Sequence, residues 1–364
     1  MIIAPGHSFG SYELQEQLSS GPFASVFRAH HPNLDRTVAV KVLSPNLAED
    51  PTFSSRFREV AHAVSELRHP NILTLYDFGE QDGVAFLVTA FASGGSLAQF
   101  MGTPMPLERV IALLGPLASA LDYAHQCGLV HRDVTPANVL LDDAERPILA
   151  DFGLARIVEG SRLTQPGVLL GTPAYMSPEQ AFSTDVGPSS DLYSLGIIAY
   201  EMLVGTPPFS AVTPMATMLA QMHEAVPQPT QRNPLIADGV EAVLDRALSK
   251  APEQRFPTAD AMLHALQACV VVIEEAPLEA REAVAAVPAT GPLPDVSLTT
   301  HESPLVTRAT LHGGLPAAQE TVGYRASRPS TASLSPPGSR VTAAFMIVLT
   351  VLLMMVAALV YLLS

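Results

Sequence analysis

His131-Arg132-Asp133-Val134-Thr135-Pro136-Ala137-Asn138 is followed, 18 residues after Asp133, by Asp151-Phe152-Gly153. This pairing decides the reading of the chain. Two carboxylates and a carboxamide at this spacing make a site for magnesium, nucleotide phosphate and an attacking hydroxyl. Phosphoryl transfer needs such a site: its transition state spreads negative charge over several oxygens, and catalysis is mainly positioning and charge stabilisation. Asp and Asn also favour turns, but turn preference does not account for all three in this joint arrangement.

Upstream, Thr37-Val38-Ala39-Val40-Lys41-Val42-Leu43 alternates and is β-branched, which predicts a strand. Period two puts Ala39 and Lys41 on one face. The small residue leaves room for a purine ring, and the ammonium reaches phosphate oxygens. Asp50-Pro51 predicts a helix start, with Asp50 as N-cap and Pro51 at the first helical position. Phe53, Phe57, Val60, Val64 and Leu67 recur at helical spacing and predict a buried face, with Glu59 beside it. Glu66 reads as an ordinary surface glutamate. Residues 107–128 also have helical spacing and end in a Gly128 C-cap, so His125 and Cys127 read as a helix end, not a metal site.

The run from His131 to Gly153, together with Val38-Ala39-Val40-Lys41, resembles the protein kinases of the bacterial serine/threonine, or eukaryotic-like, type. The resemblance covers about three quarters of the chain, residues 10–268. It implies an α+β, bilobal protein-kinase-like fold within residues 1–270. The small lobe, about 10–90, would hold a five-stranded antiparallel sheet and one main helix. The large lobe, about 91–270, would be mostly helical, with ATP between the two. Asp133 would be the catalytic base, and Lys41 would hold nucleotide phosphate, kept there by an ion pair with Glu59. Asn138 and Asp151 would hold Mg2+ (or Mn2+), whose octahedral shell suits hard oxygens. Leu18 and Val26 would cover the adenine, with Ala39 beside it and Leu140 beneath. In Phe86-Leu87-Val88-Thr89-Ala90-Phe91-Ala92, Thr89 falls at the gatekeeper position, and the backbone of Ala90 and Ala92 would bond the adenine edge.

Two departures stand out. The phosphate loop pattern Gly-x-Gly-x-x-Gly-x-Val keeps only Gly21; Ser19 and Ala24 replace the other glycines, and Pro22 removes an N–H donor. Thr135 stands where the family usually carries lysine. Losing one charge stabiliser costs on the order of 3–4 kcal/mol, by analogy with deleting an oxyanion donor. That bears on rate more than on reaction type. Gly171-Thr172-Pro173-Ala174-Tyr175 resembles the loop that receives protein substrates with Ser/Thr acceptors.

Between Gly153 and Ser177-Pro178-Glu179 lie Ser161, Thr164 and Thr172. A phosphate on Thr164 would pair with the Arg132 guanidinium and order the loop. Thr164 is the expected autophosphorylation site and Ser161 the second, with a homodimer as the arrangement for reaction in trans. Glu179 and Arg255 resemble a buried ion pair bracing the large lobe. Asp191 would start a core helix and tie back to the catalytic loop.

The 364-residue chain has room for two or more compact units, and its charge of −15 argues against a nucleic-acid surface. Two cysteines, Cys127 and Cys269, are too few for a disulfide framework, so a reduced setting is the simpler reading. Met1-Ile2-Ile3-Ala4-Pro5-Gly6 lacks the features of a signal peptide. Residues 271–340, rich in Pro, Ala, Ser and Thr, read as a disordered linker. Residues 343–363 are apolar except Thr350 and Tyr361. As a helix they reach about 31 Å, against a bilayer core of about 30 Å. Residues 341–364 are therefore expected to form a transmembrane helix. A buried core helix is the alternative, disfavoured by the preceding linker and the missing polar face. Arg325, Arg328 and Arg340 precede the span and place the kinase domain in the cytoplasm. The expectation is a single-pass cell-membrane kinase with a C-terminal anchor. A pseudokinase scaffold that recruits partners to the membrane is the competing reading. Ser19, Pro22, Ala24 and Thr135 favour it; Lys41, Glu59, Asp133, Asn138 and Asp151 oppose it. A small-molecule phosphotransferase of similar fold is disfavoured by segment 171–179.

Overall fold

The computed structural model describes residues 4–158, 172–181 and 186–274. The linker, the apolar C-terminal run, Ser161 and Thr164 lie outside the described residues. Among those described, no helix is long and apolar enough to cross a membrane.

The small lobe comprises β1 (Ser8–Phe9), β2 (Tyr12–Ser20), β3 (Ala24–His31), β4 (Arg36–Leu43), α1 (Phe53–Ser65), β5 (Leu75–Gln81) and β6 (Val84–Ala90). The strands form one six-stranded antiparallel sheet in the order β1-β2-β3-β4-β6-β5. The family resemblance implies five; the sixth is β1, whose two residues leave no periodic signal. Along β4, Val38, Val40 and Val42 are buried in a cluster with Phe9 and Phe27, while Ala39 and Lys41 alternate with them, half-buried. The other face packs on α1, where Phe53, Phe57, Val60 and Ala61 meet Leu43, Leu75 and Leu87. The helix starts at Phe53, later than Asp50-Pro51 predicts. Asp50 Oδ1 instead accepts from the Thr52 N–H at 2.9 Å and the Thr52 hydroxyl at 2.8 Å, closing a turn before the helix.

The large lobe follows with α2 (Leu107–Gln126), β7 (Val139–Leu141), β8 (Pro147–Leu149), α3 (Leu154–Val158), α4 (Pro188–Val204), α5 (Pro214–His223), α6 (Pro229–Arg232), α7 (Asp238–Ala247) and α8 (Ala259–Glu274). The last helix runs past residue 270, absorbing Val270-Val271-Val272-Ile273. It packs on α2 and α7, while α4 is buried at every position from 190 to 203. Segment 91–96 joins the lobes. There the Gly94 N–H donates to Leu141 O and the Leu141 N–H to Gly95 O, both at 2.9 Å. A Cβ on Gly94 would lie 2.7 Å from Asp142 O and 2.8 Å from Leu141 O, so this approach admits only glycine.

Candidate active site

The catalytic loop hangs from α4. Asp191, fully buried, accepts from the His131 N–H and the Arg132 N–H, each at 2.8 Å. His125 Nε2 lies 2.7 Å from the same carboxylate. A carboxylate in a core needs such partners to offset its lost hydration. Arg132 takes up a left-handed φ of 68° between them. The buried His131 ring holds Ala150 O at 2.8 Å and packs on Phe152 at 4.5 Å between centroids. The Ala150 N–H donates to Asn138 O at 2.8 Å, so the two motifs are laced together immediately before Asp151.

Within this frame Asn138 Nδ2 donates to Asp133 O and to Asp133 Oδ2, both at 2.8 Å. The amide nitrogen is thereby committed, which leaves the side-chain oxygen as the group available to a cation. Burial raises the Asp133 carboxyl above its ordinary range; His131 and the Asn138 hydrogen bond act against this, and the Asp151 charge adds to it. The result is a carboxylate that binds protons more readily than an exposed aspartate. Lys41 pairs with Asp151 at 2.5 Å. The Asn138 oxygen and the Asp151 carboxylate are hard oxygens of the kind that suits a divalent cation.

The nucleotide-side residues take positions set by sheet register. Val26 lies opposite Lys41, and Ala39 opposite Thr89. The Ala90 N–H donates to Thr74 O at 2.9 Å, so its carbonyl is what an adenine edge would meet; that carbonyl also accepts from Thr89 Oγ1 at 3.2 Å. Ala92 follows, half-buried, in the connection between lobes. Leu18 is 44% exposed near the end of β2. The Gly21 N–H donates to Ala24 O at 2.9 Å and closes the β2–β3 hairpin tip. Leu140 on β7 is half-buried and bridges to Ser96. Thr135, the residue in lysine's place, is buried and makes no capping hydrogen bond.

Glu59 is a correction. It is exposed on α1, and the carboxylate paired with Lys41 is Asp151. The cause is α3, a helix formed by the residues directly after Gly153. Ile157, buried, and Leu154 pack into the α1 cluster of Phe57, Val60 and Leu87. Gly153 sits so close that a Cβ would meet Val60 Cγ1 at 2.6 Å. With α3 packed against α1, Glu59 stays exposed and Lys41 pairs with Asp151. Sequence reasoning also missed His125 as a partner of Asp191; its place at a helix end gave no sign of that contact.

A sheet lobe over a helical lobe, with these residues in the cleft between, is the protein kinase fold. The protein kinase domain family model matches residues 12–266, and the chain belongs to that family. It is 38% identical over 268 residues to serine/threonine-protein kinase PknB of Mycobacterium leprae, a match spanning 72% of this chain and 43% of that one. It is 37% identical over 290 residues to the probable serine/threonine-protein kinase SCO3848 of Streptomyces coelicolor, spanning 78% and 43% respectively. The chain thus spans less than half the length of these curated relatives. Among solved structures it resembles the Mycobacterium tuberculosis PknI kinase domain, with a TM-score of 0.61 and 32% identity, covering 74% of this chain and 100% of that one.

Proposed function

We propose that the protein is a membrane-tethered serine/threonine kinase that moves the γ-phosphate of ATP to Ser or Thr hydroxyls of proteins. The convergence of Lys41, Asp133, Asn138 and Asp151 on one cleft supports this reading most directly. In it Asp133 takes the proton of the acceptor hydroxyl, and Lys41 holds phosphate oxygens. Asn138 and Asp151 hold the divalent ion, which supplies charge neutralisation on the phosphates. Adenine sits among Leu18, Val26, Ala39 and Leu140, its edge on Ala90 and Ala92. The open Gly21 tip lets backbone approach phosphate. The buried Thr135 leaves the transferred group one cation short, which slows the reaction without changing its kind. Residues 343–363 would anchor the chain, with the kinase domain in the cytoplasm. The test is transfer of radiolabelled phosphate by the full chain in magnesium, beside an Asp151→Ala control. Incorporation equal to the control rejects the enzyme and favours a scaffold, the reading that Thr135 and the depleted glycine loop support.

Regulation through the same cleft follows from α3. Glu59 reaches Lys41 only when α3 leaves α1 and the Lys41–Asp151 pair opens. Phosphorylation of Thr164, or of Ser161, between two copies of the chain would draw the loop toward Arg132 and away from α1. Ile157→Asp is therefore expected to raise the initial rate of unphosphorylated protein about tenfold, since burying one such side chain is worth about 1.5–3 kcal/mol. A stopped-assay rate no higher than wild type would count against the α3 brake.

A further inference from the structure

In the segment that resembles the substrate loop, two successive carbonyls are held by one buried amide. Pro173–Tyr175 form a 3-10 turn. Gln221, on α5, is fully buried. Its Nε2 donates to Ala174 O at 2.6 Å and to Pro173 O at 3.4 Å. Its Oε1 accepts from the Tyr193 hydroxyl at 2.6 Å.

The direction of that amide is fixed by chemistry. Lys250 Nζ lies 3.4 Å from the Tyr193 oxygen, and an ammonium only donates. The carbonyls of Pro173 and Ala174 only accept, so the Gln221 nitrogen must face the loop and its oxygen is left to take the tyrosine's proton. Lys250 also donates to the backbone carbonyl of Gln221 at 2.8 Å, holding the helix end that carries it. The next loop carbonyl, that of Tyr175, accepts from Ser194 Oγ at 2.7 Å, and the Tyr175 hydroxyl donates to the buried Glu201 at 2.5 Å. Three successive carbonyls are thus drawn into the lobe, turning the other side of the turn outward. An alkyl chain at 221 would leave Ala174 O and the Tyr193 hydroxyl buried without that partner. A carboxylate would keep the Tyr193 bond and set oxygen against the loop carbonyls. Among the described residues the hydrogen bonds of Gln221 go to the loop, Tyr193 and Lys250, and not to Lys41, Asp133, Asn138 or Asp151.

We propose that Gln221 is the positioning residue that sets the shape of the turn receiving the residue beside the acceptor Ser or Thr. It governs use of protein substrates and leaves nucleotide handling alone. This rests on the kinase reading above.

The test uses full-length Gln221→Met and Gln221→Glu with a degenerate Ser/Thr peptide library. Peptide transfer is divided by ATP hydrolysis to water in the same sample, a ratio that is independent of the folded fraction. For each variant the ratio is expected to fall about tenfold, with ATP KM within about twofold and a changed preference at the position after the acceptor. A ratio within twofold of wild type overturns the proposal. So does ATP hydrolysis that falls in step with peptide transfer, the mark of a merely structural role. Wild type that hydrolyses ATP but labels no peptide rejects the kinase reading itself, and the role of the turn with it.

Discussion

Asp133→Asn is expected to lower phosphate transfer by about 10³-fold while ATP affinity stays within about twofold, because removing a general base typically costs about 10²–10⁴-fold in rate. The substitution keeps the shape of the side chain and an oxygen for Asn138 Nδ2 to reach. What it removes is the ability to take a proton. Burial has already made the Asp133 carboxylate readier to accept one. The backbone N–H groups of His131 and Arg132 still bind Asp191, so the loop keeps its course. Single-turnover transfer in a quenched-flow experiment, beside a nucleotide titration, separates chemistry from binding. A rate within tenfold of wild type would move the base elsewhere.

Arg255→Met is expected to destabilise the protein by about 3–5 kcal/mol, the cost of leaving one buried charge without its partner. For a domain of this size that is a fall in melting temperature of about 10 °C. Arg255 binds Glu179 through both terminal nitrogens, at 2.7 and 2.8 Å. Its remaining protons go to the carbonyls of Ser189, Ser249 and Lys250, so all five donors are used. Arg255→Lys is not expected to restore this, because an ammonium cannot reproduce the fork. The pair also sets an acid limit. Burial alone would push the Glu179 carboxyl up, but Arg255 and the Ser190 hydroxyl outweigh it and hold it below its ordinary value of 4.5. A folded pKa below the unfolded one means fewer protons bound in the native state. The contribution is therefore complete above pH 4.5 and is lost as pH falls through the folded value. Calorimetry of Arg255→Met against pH checks both points: a small loss at neutral pH, or an unchanged acid slope, would show that the pair does not brace the lobe.

The grouping of Asp133, Asn138 and Asp151 was legible because these residues are fixed in kind and in spacing along one stretch of chain. Asp133, Asn138 and Asp151 are held by short-range backbone bonds, such as that from Ala150 to Asn138, and local arrangements leave local signals. Strand alternation placed Lys41 on one face with Ala39, and the resemblance to the family's Val-Ala-x-Lys strand singled it out from other lysines. The position of Glu59 was not, although its helix was. The buried stripe on α1 says which side faces the protein but not what lies against it. That depends on α3, only five residues long, whose own pattern is too short to read. Gln221 left no signal either. A single glutamine among Met218, Leu219, Ala220 and Met222 looks like an accident of composition until Ala174 and Tyr193 arrive from elsewhere in the chain.

From Ser190 to Leu203 the helix α4 has no outer surface, and this has a consequence for how the lobe comes apart. Asp191 grips the catalytic loop, Tyr193 meets Gln221, Ser194 reaches the carbonyl of Tyr175, and Glu201 takes its hydroxyl. A rod buried on every side cannot dock onto a finished core; it takes shape only as its neighbours close around it. The lobe is therefore expected to melt as one cooperative foldon, with α4 as its axle. The two loops it carries would then lose their shape in the same event, with no intermediate that keeps the chemistry while forgetting the substrate.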